Sequence, residues 1–581
     1  MHILALLALS AFSSATRSCR CTSNDSCWPS ENEWKSLNTS IDNNLVALRP
    51  YGSPCHAPSY NATLCATVNS NPNTNSVFRA SLPAALQYPN WETLPSANES
   101  CLVGTSVDIP CGQGRVSLYS ALVKQASHVQ DAVRFATKHN LRLAIRNTGH
   151  SYLGTSSAPE SLQIFTHGLN SITVTDSFTP IGAHHSRGSA VTIGAGVMLN
   201  DLYQVLSEHN VLAVAGLSPS VGAAGGYVQG AGHSPLSPLL GLAADNVLQF
   251  TVVTAQGELI IANDYQNADL FWALRGGGGG TFGVVVDATF QTSPDMPAYI
   301  QFYKLVTTNE TTFWNSITKF HSLIPHINDA GVSGYYSLNR PSTPTTEYML
   351  GGFFIFANFT QDQANDMQHI LSPLVSTLQK EVGDGLIVPP ANYSNSMHTF
   401  LRYYQQVTPD PTGFIDRIGS RLISKDLLNS YNGPSELTAA LKHASTGTIS
   451  VLGHIVAGGK VSRNKNMNAV NPAWRRAATH LALSWSWPLN ATVAYQEAVT
   501  SNITHEWMPV LRDLEPDMGA YVNEADADEP GWQRSFWGAN YLRLRQIKAK
   551  WDPLDLFIVR RGVGSEAWDV EGLCKPSDCQ R

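Results

Sequence analysis

The sequence predicts an α+β fold of more than one unit, and three observations carry that expectation. From about residue 115 to 296, short strands run directly into glycine-rich turns and helices. From 297 to 515, strand-like runs such as Tyr299–Leu305, Tyr348–Ala357 and Thr448–Val456 alternate with helical stretches, the pattern of an antiparallel sheet flanked by helices. Cysteines lie only near the two ends, at 19, 21, 27, 55, 65, 101, 111, 574 and 579. A chain of 581 residues, at about 150 residues per domain, has room for two or three such units.

The N-terminus reads as a signal peptide over 1–18. Leu4 to Phe12 is apolar but far short of the ~20 residues that span a bilayer, and Ser13-Ser14-Ala15 offers a small-x-small cleavage site. Only the α-amino group and His2 precede the apolar run, so an anchored or buried N-terminus is the alternative. No later segment reads as membrane-spanning. In a secreted chain, terminal cysteine clusters predict disulfides that pin the ends, with one thiol left over from an odd count. Zinc is disfavoured because no paired C-x-x-C or matching histidine spacing occurs, and no metal is expected. Sequons at Asn24, Asn38, Asn61, Asn98, Asn309, Asn358, Asn392, Asn490 and Asn502 agree with the secretory route. The net charge of -7 gives no basic stripe, which excludes nucleic acid as the expected partner.

Residues 19–114 form a Cys-rich extension with little expected chemistry. From 115 the pattern tightens. Ser127-x-x-Gln130 reads as a capping box, and Val129, Ala132, Val133 and Ala136 follow at helical spacing. The strand Leu141–Ile145 then delivers the chain into Arg146-Asn147-Thr148-Gly149-His150-Ser151. A second unit repeats the order: strand Ala190–Ile193, turn Gly194-Ala195-Gly196, helix Leu199–Glu208. Later, Asp269–Leu274 reads as a helix before Gly276–Gly280, with a strand from Gly283-Val284-Val285. A Rossmann turn requires the opposite order, strand then glycines then helix, so no NAD site is expected. Residues 516–570 are dense in aromatics and turn residues, and 571–581 form a Cys-containing tail.

Two loops carry the chemistry. Consecutive backbone N–H groups in Asn147-Thr148-Gly149-His150-Ser151, relieved by a glycine, suit a pyrophosphate. His150 lies inside that loop; alone it would read as a capping or packing histidine. The second stretch, Gly216 to His233, has enough glycine for backbone to approach a flat cofactor closely.

Together these loops resemble the berberine bridge enzyme-like branch of the vanillyl-alcohol oxidase/p-cresol methylhydroxylase superfamily, in a fungal-type secreted form. Arg146 to Tyr152 is similar to that family's Arg-x-x-Gly-His-Ser-Tyr segment, whose histidine bonds the flavin 8α-methyl. Val221 to His233 resembles its second FAD loop, and Gly241 to Val247 the element closing it. Tyr521 to Asp526 and Phe536 to Tyr541, followed by Asp552-Pro553, resemble its C-terminal element. The resemblance implies a two-part FAD-binding domain (115–296), a substrate domain whose sheet covers the isoalloxazine (297–515) and a C-terminal segment returning to the FAD domain (516–570). It implies FAD contacts from Arg146, Asn147, Thr148, Gly149, Ser151, Ser218, Val221, Gly222, Gly225, Gly226, Gly232, Gly283, Val285 and Asn540. Many relatives attach FAD a second time through a cysteine where this chain has Ser218, so a single link through His150 is expected.

The implied reaction is hydride removal from an alcohol, amine or related carbon of a small molecule such as a secondary metabolite. Molecular oxygen is the expected acceptor. Tyr521 matches a catalytic tyrosine of several relatives, or is a packed aromatic; His233 is the second candidate base, or a structural loop residue. Glu524 and Asp526 are expected to be scaffold. The alternatives are a secreted carbohydrate oxidase and a non-redox, flavin-bound cyclase or ligand-binding protein.

Overall fold

Three sheets build the chain. The computed structural model describes residues 19–575 except 72–73, 342–346, 361, 364–397, 405–406, 408–409, 449 and 465–466. The expected signal segment 1–18, the sequon at Asn392 and Cys579 therefore lie outside the described residues.

The first sheet holds β1 (Leu45–Ala47), β2 (Tyr119–Leu122), β3 (Arg142–Arg146) and β4 (Ser161–Phe165) in the order β1-β2-β4-β3. β4 runs parallel to β2 and β3, and β1 is antiparallel to β2. Between β2 and β3 the helix Ala126–Lys138 turns its Val129, Ala132, Val133 and Ala136 stripe onto the sheet. The expected capping box does not form. Gln125 is the N-cap and makes no side-chain cap bond, which leaves Ser127 one residue inside the helix. His128 covers the helix start instead, its Nδ1 accepting from the Lys124 amide at 3.4 Å.

The second sheet is antiparallel: β5 (Ile172–Thr175), β6 (Ala190–Gly194), β7 (Val211–Ala213), β8 (Val247–Val253), β9 (Leu259–Asn263) and β10 (Val284–Pro294). The order is β5-β6-β10-β8-β9, with β7 paired to β10. Helix Leu199–Glu208 follows β6, and helix Ala268–Leu274 precedes the glycines that lead into β10, as expected.

The third sheet comprises β11 (Pro297–Thr307), β12 (Ser333–Asn339), β13 (Tyr348–Ala357), β14 (His398–Thr399), β15 (Arg417–Ser424), β16 (Ser450–Ile455) and β17 (Ala477–Trp485). Every pairing in the order β14-β11-β13-β12-β16-β17-β15 is antiparallel. Alternation assigns its two faces. Tyr336, Leu338, Phe354, Phe356, Val451, Leu481 and Trp485 pack on the helices Glu310–Asp329 and Gly433–Ala444. Tyr335, Phe353, Leu452, His454 and Ala482 point the other way, into a cavity.

Among the described residues four disulfides form, Cys19–Cys574 between the two ends and Cys21–Cys27, Cys55–Cys65 and Cys101–Cys111 within the extension. The first joins residues 555 apart in sequence. No helix among the described residues is long and apolar enough to cross a membrane.

Candidate active site

A cavity of about 730 Å³ lies between the second sheet's loops and the open face of the third. Its floor begins at the end of β3. There the chain enters the Asn147–Ser151 loop, with Gly149 at φ +80, a value that favours glycine. The loop is tied down from both sides. The Asn147 side chain donates to the Ala195 carbonyl, and Gln87 Nε2 donates to the Thr148 carbonyl at 2.9 Å. His150 Nε2 lies 2.7 Å from Ser220 Oγ, linking the first loop to the second. Burial pushes the imidazole down to about 4, so the ring is neutral.

The second loop supplies a backbone cradle. A Cβ on Gly222 would fall 1.9 Å from Asn147 Nδ2, and one on Gly279 would fall 2.7 Å from the Gly226 Cα. Larger residues there would force the loops apart. A Cβ on Gly226, by contrast, meets nothing within 4 Å, so this backbone faces open space in the cavity. The cradle fits a flat dinucleotide cofactor, because its neutral histidine, bare backbone and glycine walls admit close approach.

Of the residues expected to touch the cofactor, Asn147, Thr148, Gly149, His150, Ser151, Ser218, Val221, Gly222, Gly225, Gly226, Gly283 and Val285 line the cavity. Three lie outside that lining. Arg146 is buried behind the loop, donating to the Arg79 carbonyl at 3.3 Å with its guanidinium 5.3 Å from the Phe165 ring. Gly232 sits one layer back and gives its N–H to the Tyr521 hydroxyl at 3.3 Å. Asn540 caps the start of the helix Tyr541–Trp551 and donates to the Val470 carbonyl at 3.0 Å.

Both candidate bases line the cavity, in different settings. The Tyr521 oxygen accepts from Gly232 N–H and from Asn523 Nδ2 at 2.7 Å, and burial raises the phenol above its ordinary value. His233 Nε2 lies 3.0 Å from Glu524 Oε1. Glu524 Oε2 lies 3.6 Å from His480 Nδ1, which is 3.0 Å from His454 Nδ1. Burial alone would raise the Glu524 carboxyl. The attraction and hydrogen bond of His233, with lesser attraction from His454 and His480, outweigh burial and hold it well below the usual carboxylate range. Burial pushes His454 down to about 4 and His480 well below the imidazole range. Asp526 is scaffold: its Oδ2 accepts from Thr504 at 2.7 Å and Arg512 at 3.1 Å.

The remaining wall was not legible in the sequence. Tyr88 comes from the extension, stacks on Tyr152 at 4.4 Å and meets the His150 ring edge-on at 6.3 Å. Asp416 lies beside β17, where Ser484 Oγ donates to its Oδ1 at 2.5 Å; burial pushes the carboxyl up to about 6. The extension therefore does bear on the site, through Gln87 and Tyr88.

Comparison with known proteins decides the family. Residues 118–263 match the family described as FAD binding domain, and 520–564 the one described as berberine and berberine like. An uncharacterized FAD-linked oxidoreductase of Arthroderma benhamiae is 45% identical over 98% of this chain and 99% of its own. The FAD-linked oxidoreductase easE of Epichloe festucae var. lolii is 40% identical over 96% of this chain and 92% of its own.

The chain belongs to the FAD-linked oxidoreductases of the vanillyl-alcohol oxidase and berberine bridge enzyme type.

The solved structures agree. The VAO-type flavoprotein MtVAO615 of Myceliophthora thermophila C1 superposes with a TM-score of 0.86 at 30% identity, covering 96% of this chain and all (100%) of its own. Berberine bridge enzyme from Eschscholzia californica shares the fold, with a TM-score of 0.64 at 16% identity over 91% of this chain and 98% of its own. In this oxidoreductase the sheet-and-loop cavity is thus the candidate site for flavin and substrate. Its His454 and His480 escaped sequence reading, although both fall on strands at alternating positions. Only β16–β17 register brings them together.

Proposed function

We propose that this FAD-linked oxidoreductase is a secreted oxidase of a small, largely apolar molecule, acting on an alcohol, amine or related carbon. The observation that carries this reading is one cavity lined at once by both glycine loops, His150 and the His233–Glu524 pair.

FAD held there by the two glycine loops and His150 would supply a hydride acceptor for a substrate carbon, with molecular oxygen as the acceptor of its electrons and hydrogen peroxide as the product. The chain's own residues do the rest. His150, neutral and with Nε2 engaged by Ser220, keeps Nδ1 as the nucleophile for a single covalent link, since Ser218 offers no thiol. His233 and Glu524 act together as the base. The Glu524 carboxylate, in contact with His233 Nε2, supports the imidazolium formed when that ring takes the proton leaving the substrate's O–H or N–H. Tyr521, whose oxygen already accepts two hydrogen bonds, positions the Gly232–His233 turn.

The open sheet face supports an apolar substrate. Tyr335, Phe353, Ile418 and Leu452 form its surface, and no Trp of 297–515 lines the cavity among the described residues. The sheet therefore offers no indole on which a sugar could stack, and Tyr335 and Phe353 are its aromatic surface. The four disulfides support passage through an oxidising compartment.

The test is anaerobic mixing of purified enzyme with panels of amines, alcohols and sugars, followed by oxygen. Flavin bleaching by an apolar amine or alcohol, with rapid recovery and peroxide, is expected. A substrate turned over without bleaching would overturn the redox reading, and slow recovery would make the enzyme a dehydrogenase.

A further inference from the structure

We propose that His233, His454, His480 and Glu524 form a binding site for one divalent first-row transition ion, of which zinc is the best match, clamped between the substrate sheet and the flavin loops.

The site is built from four separate stretches of chain. His454 and His480 are register partners on the antiparallel strands β16 and β17, so both rings leave the same face of the sheet. They stack at 17°, with Nδ1 atoms 3.0 Å apart. His233 enters from the second glycine loop, and Glu524 from the C-terminal segment. One ligand atom from each of the four lies within 4.8 Å of every other.

The spacing suits a metal. Bonds of about 2.0–2.1 Å in a tetrahedron place neighbouring ligand atoms about 3.4 Å apart. Three separations between ligand atoms are on hand: 3.0 Å for His233 Nε2–Glu524 Oε1, 3.0 Å for His454 Nδ1–His480 Nδ1, and 3.6 Å for His480 Nδ1–Glu524 Oε2, the carboxylate turning one oxygen to each histidine. They scatter about the ideal edge, so small side-chain rotations bring all four atoms onto one ion. Three imidazoles and a carboxylate are a borderline donor set, which favours zinc or copper over magnesium or calcium.

Charge and tautomer point the same way. Two Nδ1 lone pairs facing each other at 3.0 Å repel unless a cation or a proton sits between them. If His480 carries its proton on Nδ1 to relieve this, its Nε2 becomes a buried acceptor, and that atom has no hydrogen-bond partner. An ion would accept both Nδ1 lone pairs at once, which removes their mutual repulsion and leaves both protons on Nε2. Glu524 supplies a carboxylate oxygen, the anionic donor that a dication needs beside three imidazoles.

The consequence for catalysis rests on the proposed function; the site itself does not. An ion here breaks the His233 Nε2–Glu524 contact that supports the proposed base. The loaded enzyme is therefore a resting form.

The experiment uses tag-free holoenzyme, stripped with chelator and dialysed, then titrated with zinc sulfate by calorimetry and measured by X-ray absorption at the zinc edge. One zinc per chain is expected, with outer-shell scattering from imidazoles. Affinity should fall at least a hundredfold in His454→Asn and in His480→Asn, while an unchanged bound-flavin spectrum reports intact folding. Should either variant fail to fold, Glu524→Gln carries the same expectation. Absence of saturable binding to the wild-type protein overturns the proposal, as does 1:1 binding that survives these substitutions. Zinc should also slow flavin reduction at least tenfold, reversibly with chelator. Stoichiometric binding with full reduction rate would leave the metal site standing and remove His233 and Glu524 as the base.

Discussion

Glu524 Oε1 lies 3.0 Å from His233 Nε2, although the two residues are 291 apart in sequence. A histidine oriented by a buried carboxylate is a stronger base than a phenol whose oxygen already accepts two hydrogen bonds. Once a substrate is found, His233→Ala and Glu524→Gln should each slow anaerobic flavin reduction by about 10²–10⁴. Tyr521→Phe should cost far less, about tenfold or under. A Tyr521→Phe loss as large as that of His233→Ala would return the role to the tyrosine.

Asp416 gives a pH signature. Burial raises its carboxyl from 3.8 to about 6, so the folded protein binds its proton more tightly than the unfolded chain does. That contribution is complete below the ordinary carboxylate value and is lost as pH rises through about 6. The displacement corresponds to about 3 kcal/mol, as an upper figure. Asp416→Asn should therefore stabilise the protein at pH 8, and its advantage should shrink as pH falls towards 4. Thermal melts of both proteins across that range measure it, and an advantage independent of pH would contradict the account.

Lys548 and Asp552 form a fully buried pair at 2.5 Å behind the flavin loops. Lys548 Nζ also donates to the carbonyls of Thr281 and Phe557, each at 2.7 Å, and Asp552 accepts from the amides of Leu556 and Phe557, each at 2.8 Å. Lys548→Met would leave a buried carboxylate without its cation, costing about 3–5 kcal/mol. Denaturant unfolding should show that loss; the double variant Lys548→Met/Asp552→Leu should recover part of it.

Cys19–Cys574 closes nearly the whole chain into a ring. Arg20 still holds the ends without it, through its amide to the Leu573 carbonyl at 2.7 Å and its guanidinium over Trp568 at 4.5 Å. The paired Cys19→Ser/Cys574→Ser variant should thus lose about 2 kcal/mol, the low end of the usual range for a native bridge. Limited proteolysis should then cut first near the N-terminus.

Local chemistry was legible in the sequence and long-range assembly was not. The Asn147–Ser151 loop and the helix Leu199–Glu208 are written in contiguous residues, so reading them needs no partner. β13 spans Tyr348–Ala357 as its apolar run indicates. His454 and His480 acquire meaning only when β16 and β17 pair, and Glu524 only when the C-terminal segment reaches His233. Asn540 followed family position, yet its side chain ends on the Val470 carbonyl. Gln87 and Tyr88 sit in an extension whose sequence shows no periodicity, and tertiary contact alone carries them to the cavity.

The central claim, one covalent flavin at His150, is tested most directly by mass spectrometry of acid-precipitated protein. Trypsin should release residues 147–187, a peptide holding His150, His167, His184 and His185. Fragmentation should place a single flavin on His150, and His150→Ala should release its flavin to the acid supernatant. Flavin freed from the wild-type protein, or found attached at another residue, would contradict the account.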